Sequence, residues 1–209
     1  IKQVYGIEPG EVDCATFPLF ALFGPALGMA SIVPLMDASR PGMTDPNALV
    51  EAIDDFGCTN MFASPAIVQL LGRHCERHEI TLSSLRRIIS AGAPASLPSL
   101  RRMQSALQPN VQVFTPYGAT EALPVASLGT GTILSETGRA TEAGKGVCVG
   151  KPVPQMEVAV IPITDQAISN WSDDLPLPAN EIGEIVVKGP VVSARYFQRD
   201  EATEMAKIL

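Results

Sequence analysis

Imidazoles are scarce in this sequence, and regular cysteine spacings and surplus positive charge are missing; each shortage removes a class of function. His74 and His78 are the only histidines, and Cys14, Cys58, Cys75 and Cys148 stand far apart with no Cys-x-x-Cys pair. Zinc sites need several such ligands at short, regular spacings, so no zinc pattern emerges. A disulfide framework is not expected either. With 46% of its 209 residues apolar, the chain can bury a core without covalent staples, and scattered thiols suit a reducing compartment. The expected location is the cytoplasm.

Basic residues number 15 against 22 acidic ones, and the isoelectric point is near 4.8. Proteins that bind DNA or RNA draw affinity from Lys and Arg set against phosphates, so no nucleic-acid partner is expected. A single nucleotide ligand stays open, because it needs only local donors.

Charge vanishes altogether between Cys14 and Met36, a run of 23 residues that is long enough to cross a bilayer. Pro18, Pro25 and Pro34, with Gly24 and Gly28, would break a spanning helix repeatedly, and the flanking Asp13 and Asp37 lack the Lys/Arg bias that orients a span. Neither is the run a signal peptide, since Glu8, Glu11 and Asp13 precede it instead of a basic segment. No membrane span is expected.

What the sequence does contain, from Asp45 onward, is an alternation of helical and strand periods. Leu49, Val50, Ile53 and Phe56 recur at helical spacing in Pro46 to Phe56, and a short strand follows at Thr59 to Ala63. Ser64 then Pro65 is an N-cap followed by proline at the first helical position, which predicts a helix to about Arg77. Arg86 to Ala91 reads as a buried strand, Gly92-Ala93-Pro94 as a tight turn, Ser96 as the cap of the next helix, and Val111 to Phe114 as another strand. Short strand-helix-strand connections imply parallel pairing through right-handed crossovers, hence an α/β fold with a doubly wound, mostly parallel sheet. Ligands of such sheets bind beyond the strand C-termini, which nominates Gly92-Ala93-Pro94 and the loop Pro116 to Glu121. After about residue 128 Gly and Thr become frequent, and the two strands at Met156 to Ile163 and Glu181 to Lys188 have no helical pattern between them. The expected organisation is therefore an α/β unit over 1–128 and a β-rich unit over 129–209, with Thr164 to Asn180 as a surface excursion.

Thr115-Pro116-Tyr117-Gly118-Ala119-Thr120-Glu121 sets an aromatic ring, two small residues, a hydroxyl and a carboxylate in succession. Taken alone it is compatible with an ordinary turn leading into a capped helix. Its last five residues resemble the Tyr-Gly-x-Thr-Glu motif of the adenylate-forming superfamily: acyl-CoA synthetases, luciferases and peptide-synthetase adenylation domains. Three further runs resemble that family in the same order: Ser84 to Pro94 with its Gly-Ala-Pro turn, Gly146-Val147-Cys148-Val149-Gly150-Lys151-Pro152, and Gly183-Glu184-Ile185-Val186-Val187-Lys188-Gly189-Pro190. Four ordered motifs are far more specific than one. Within the family, Thr115 to Pro124 is most similar to the β-lactone synthetases of bacterial long-chain olefin biosynthesis.

The resemblance implies part of the large N-terminal domain of an adenylate-forming enzyme, its second half a distorted barrel-like subdomain. It implies ATP and Mg²⁺ as cofactors and a long-chain carboxylic acid, of the β-hydroxy kind, as substrate, with other enzymes of the same pathway as partners. Glu121 would hold Mg²⁺, Thr120 would hydrogen-bond the α-phosphate, Tyr117 would lie against adenine, and Gly118 and Ala119 would keep the backbone accessible. Gly92, Ala93 and Pro94 would line the adenine with backbone groups. Thr120 and Glu121 are thus the expected catalytic residues. Phe20, Phe23 and Leu27 would either line an acyl tunnel or form plain core, and Ala21 stands where many relatives carry His, so a gating role for that imidazole is lost or moved. The family's phosphate loop would lie upstream of Ile1, and its ribose-binding Asp, hinge and catalytic Lys beyond Leu209, so the sequence is expected to be a fragment. Two alternatives remain: an acyl-CoA synthetase that passes the acyl group to CoA, and a nucleotide-binding or scaffold module without catalysis.

Overall fold

A computed structural model describes residues 1–208. The chain opens with the short helix α1 (Lys2–Tyr5) and strand β1 (Val12–Ala15), then passes through a 3-10 turn (Pro18–Leu22), α2 (Phe23–Ala26) and β2 (Ala30–Ile32). The uncharged run is thus cut into short pieces at its prolines and glycines. Among the described residues no helix is long and apolar enough to cross a membrane.

Next come α3 (Pro46–Asp55), β3 (Asn60–Ala63), α4 (Pro65–His78), β4 (Arg87–Ser90), α5 (Leu97–Ser105) and β5 (Gln112–Ala119). α4 and α5 start where the Ser64 and Ser96 caps predict, and α3 has a cap of the same kind. The Asp45 carboxylate accepts from the Asn47 amide, Ser64 Oγ from Ile67 and Ser96 Oγ from Ser99, and each cap is followed within two positions by a proline. β1 pairs in parallel with β2 and β3, β3 with β4 and β4 with β5. The seven-stranded order is β2-β1-β3-β4-β5-β6-β7, where β6 is Ala122–Gly129 and β7 is Lys151–Pro152.

Strand alternation sends neighbouring side chains to opposite faces. Met61 and Ile88 enter the cluster built with Leu49, Ile67, Leu71 and Met103 from the helices, whereas Phe62 and Ile89 enter a second cluster with Tyr5, Ile7 and Met29. Both faces are covered, as a mostly parallel sheet requires. Gly72 lets α5 lie close against α4: a Cβ there would sit 3.1 Å from the Met103 nitrogen.

Two local expectations are overturned. The segment Pro116 to Glu121 is not a loop leading to a helix. β5 runs through Tyr117, Gly118 and Ala119, and Thr120-Glu121 is the two-residue turn of a hairpin to β6. Thr130 to Glu142, read as part of a β-rich half, is instead helical: α6 (Thr130–Thr132), a π-helical turn (Ile133–Thr137) and α7 (Gly138–Glu142). Its Gly and Thr residues disfavour helix intrinsically, but burial of Ile133 in the first core outweighs that preference.

The chain packs as two compact units, Ile1–Pro116 with Ser127–Lys151, and Tyr117–Ala126 with the chain from Pro152 onward. The helical stretch after Gly129 therefore belongs to the first unit, whereas the sequence groups it with the β-rich half. In the second unit β8 (Glu157–Ile161) and β9 (Glu184–Lys188) pair antiparallel, from Glu157 opposite Lys188 to Ile161 opposite Glu184. The 164–180 segment between them is largely exposed, and α8 (Asp200–Ala206) closes the described chain.

Candidate active site

In the first unit, Gly92, Ala93 and Pro94 follow the C-terminal end of β4 and are all exposed. Gly92 has φ +97°, a conformation that side chains rarely adopt, so the turn depends on glycine there. Its backbone is thus open beyond the strand ends, where parallel sheets bind ligands. Just before it, the Ser90 hydroxyl is buried with no hydrogen-bond partner.

In the second unit, Tyr117, Gly118, Ala119, Thr120 and Glu121 lie together on the hairpin. Tyr117 is 37% exposed, enough to offer a ring face, and the Thr120 side chain is exposed. Gly118 is required by close approach, since a Cβ would lie 2.4 Å from the Ala122 carbonyl oxygen. Glu121 is half-buried and held twice. Tyr196 donates its phenolic hydrogen to Glu121 Oε1 at 2.8 Å, and the Ser193 amide donates to the Glu121 carbonyl at 2.7 Å. Lys207 Nζ donates to Ser193 Oγ at 3.2 Å and lies 5.8 Å from the centre of the Tyr196 ring. The Tyr196 hydrogen bond holds the Glu121 carboxyl below its ordinary pKa, and the same bond raises that of Tyr196.

Sequence reasoning reached the hairpin residues but not Ser193, Tyr196 or Lys207. The Gly183 to Pro190 motif leads towards them, yet no local signal links Tyr196 to a carboxylate 75 positions away.

No group of three or more His, Cys, Asp or Glu that could hold a metal is found among the described residues. A dedicated all-protein cage is therefore not built here. Mg²⁺, however, is commonly bound through one or two carboxylates with substrate phosphates completing the shell. A single ionised carboxylate at a half-buried turn, with acceptor capacity left free, fits that manner of binding.

Phe20, Phe23 and Leu27 line one cavity of about 20 Å³ with Asp13, Asn60 and Phe62. That volume suits about one water and no alkyl chain. Phe20 stacks on Phe62 at 3.9 Å, so in this conformation the pocket is filled by its own aromatic rings.

Residues 3–197 match the model of the AMP-binding enzyme family. The chain belongs to that family. Over 208 residues, all of this chain, it is 45% identical to an olefin β-lactone synthetase of Xanthomonas campestris and 46% identical to one of Stenotrophomonas maltophilia, covering 36% and 37% of their lengths. The chain thus spans little more than a third of these curated relatives. Among solved structures, the O-succinylbenzoate coenzyme A synthetase of Bacillus subtilis in complex with ATP and magnesium ion superposes with a TM-score of 0.71 at 24% identity. That match covers 97% of this chain and 38% of the other. At such identity the likeness establishes the shared α/β fold.

Proposed function

We propose that this chain is the part of an AMP-forming enzyme that binds ATP and a long-chain 3-hydroxy acid, and that the whole protein closes the activated acid to a β-lactone. Identity of 45% to an olefin β-lactone synthetase across every motif described above is the observation that carries the reading.

A carboxylate repels nucleophiles, so the acid needs a better leaving group. Its oxygen attacks the α-phosphorus of ATP, pyrophosphate departs, and a mixed anhydride with AMP remains. Two anions must meet for this to happen, and Mg²⁺ held by Glu121 would neutralise phosphate charge. The Thr120 hydroxyl would donate to the α-phosphate and the Tyr117 ring would pack on adenine. Gly118 and Ala119 keep the hairpin thin enough for the nucleotide to lie against its backbone.

In the second step the substrate's own 3-hydroxyl oxygen attacks the anhydride carbonyl. The new carbon–oxygen bond closes a four-membered ring, AMP leaves, and the hydroxyl proton passes to solvent or base. Tethering removes much of the entropy of encounter, of the ~7–11 kcal/mol that ideal orientation supplies, while ring strain offsets a large share.

The test is mass spectrometry of products from the full-length protein with ATP, Mg²⁺ and a long-chain 3-hydroxy acid, with and without CoA. AMP and a CoA-free product lighter by one water support the lactone. A product formed only with CoA would overturn lactone closure in favour of an acyl-CoA synthetase, and no AMP in either case would overturn the adenylation.

A further inference from the structure

We infer that Tyr196 is a positioning residue for Glu121, acting with the Ser193 amide as a brace that presets the carboxylate for the metal–nucleotide complex. The inference rests on the proposed role of Glu121.

Glu121 lies in a two-residue turn, where backbone and side chain are the parts of a hairpin least restrained by strand pairing. A glutamate side chain also loses up to about 2 kcal/mol of rotamer entropy when fixed. Left alone, a carboxylate so placed would sample several rotamers and lose that freedom on meeting a cation. Here one short segment holds both halves of the residue. The Ser193 amide fixes the main-chain carbonyl at 2.7 Å and the Tyr196 hydroxyl fixes Oε1 at 2.8 Å. Lys207 in turn couples the two braces, hydrogen-bonding Ser193 Oγ while its ammonium lies near the Tyr196 ring.

The phenol is suited to this task. It donates one hydrogen and brings no formal charge, so it orients the carboxylate without neutralising it, as an Arg or Lys at the same distance would. A carboxylate carries about four lone-pair positions, so one donor leaves acceptor capacity for a cation. The cost of ordering Glu121 is met on folding instead of on binding, which is the general advantage of preorganisation.

The test uses the full-length protein and titration calorimetry, with ATP in excess Mg²⁺ and with ATP in EDTA. Tyr196→Phe keeps the ring and removes only the donor. It should raise the Kd for Mg·ATP about tenfold, the order of the rotamer-entropy cost that ordering Glu121 then adds to binding, while leaving the Kd for metal-free ATP and the melting temperature nearly unchanged. An unchanged or lower Mg·ATP Kd in Tyr196→Phe, alongside a raised one in Glu121→Gln, would overturn the brace and leave Glu121 in its role. Equal weakening with and without metal would reduce Tyr196 to a structural contact and overturn the inference. No effect in Glu121→Gln would instead overturn the metal role on which the inference stands.

Discussion

Arg87 grips both oxygens of Glu11, Nη1 to Oε2 at 2.7 Å and Nη2 to Oε1 at 3.1 Å, with both side chains almost wholly buried. Arg87 opens β4 and Glu11 immediately precedes β1, so the pair lies at the N-terminal ends of the parallel strands, the end opposite the Gly92 turn. Thr59 and the Glu8 amide also donate to Glu11, and Arg87 reaches the Gly6 carbonyl. Burial by itself would raise the Glu11 pKa. The hydrogen bonds from Arg87, Glu8 and Thr59, aided by the Arg87 charge, outweigh it and hold the carboxyl below its ordinary value.

Breaking such a pair from one side strands a buried charge. Arg87→Met should therefore lower unfolding stability by about 3–5 kcal/mol, and Arg87→Met with Glu11→Leu should recover a large part of the loss. Chemical denaturation checks both, and a double variant no more stable than the single one would refute the account. The pH sign follows from the depressed pKa in the folded protein. The contribution is present above the ordinary carboxylate range and is lost as pH falls through the ordinary and then the folded value.

Asp13 behaves oppositely. It is buried in β1 beside the small aromatic cavity, with Asn60 Nδ2 donating to it, and burial raises its pKa from 3.8 to about 6 despite the opposing bonds from Asn60 and the Phe62 backbone. A carboxyl that keeps its proton longer when folded contributes most below pH 3.8, and stability from it declines as pH rises to about 6, then levels off. Replacing it by the neutral Asp13→Asn should abolish that decline, on the order of 3 kcal/mol across the window. Parallel unfolding curves of both proteins between pH 4 and 7 would refute the prediction.

Gly118→Ala should disrupt the hairpin, because the added Cβ would meet the Ala122 carbonyl at 2.4 Å and Leu123 Cδ1 at 2.9 Å. Backbone cannot yield as a flexible side chain does, so adenylation should fall by about tenfold or more through misplacement of Thr120 and Glu121. Gly42→Ala is the control, with nothing within 4 Å and no left-handed φ, and should leave activity and stability unchanged. Equal pyrophosphate exchange in the two variants would refute the steric argument.

These contrasts mark what was legible in the sequence. Ser64-Pro65 and Ser96 announce α4 and α5 because capping is written in adjacent residues, and Ile88-Ile89 announces a strand buried on both faces. β5 runs past Phe114 through Pro116 and Gly118, both uncommon inside strands, so its last part carries no strand signal in the sequence. The thinness that hides the strand is what the close approach of Ala122 demands. Thr130 to Glu142 concealed a helix because its support is tertiary, through Ile133. At the site, Thr120 and Glu121 were legible from one heptapeptide, whereas Tyr196 was not, because its partner is distant in sequence and a lone tyrosine carries no pattern.

Thr120 offers the most direct test of the hairpin's chemistry. Its hydroxyl is exposed at the turn, and Thr120→Val preserves the branched shape while deleting the donor. If that donor meets charge on the α-phosphate, its removal should cut kcat/KM for adenylation by about 10- to 100-fold, the worth of a hydrogen bond to a charged partner. The loss should fall on kcat more than on KM, because charge on the phosphoryl oxygens redistributes in the transition state and interactions made only there act on kcat. Melting temperature should hold, since the side chain supports no core. Unchanged kcat/KM would remove Thr120 from the reaction, and a rise in KM alone would make it a ground-state contact to the nucleotide.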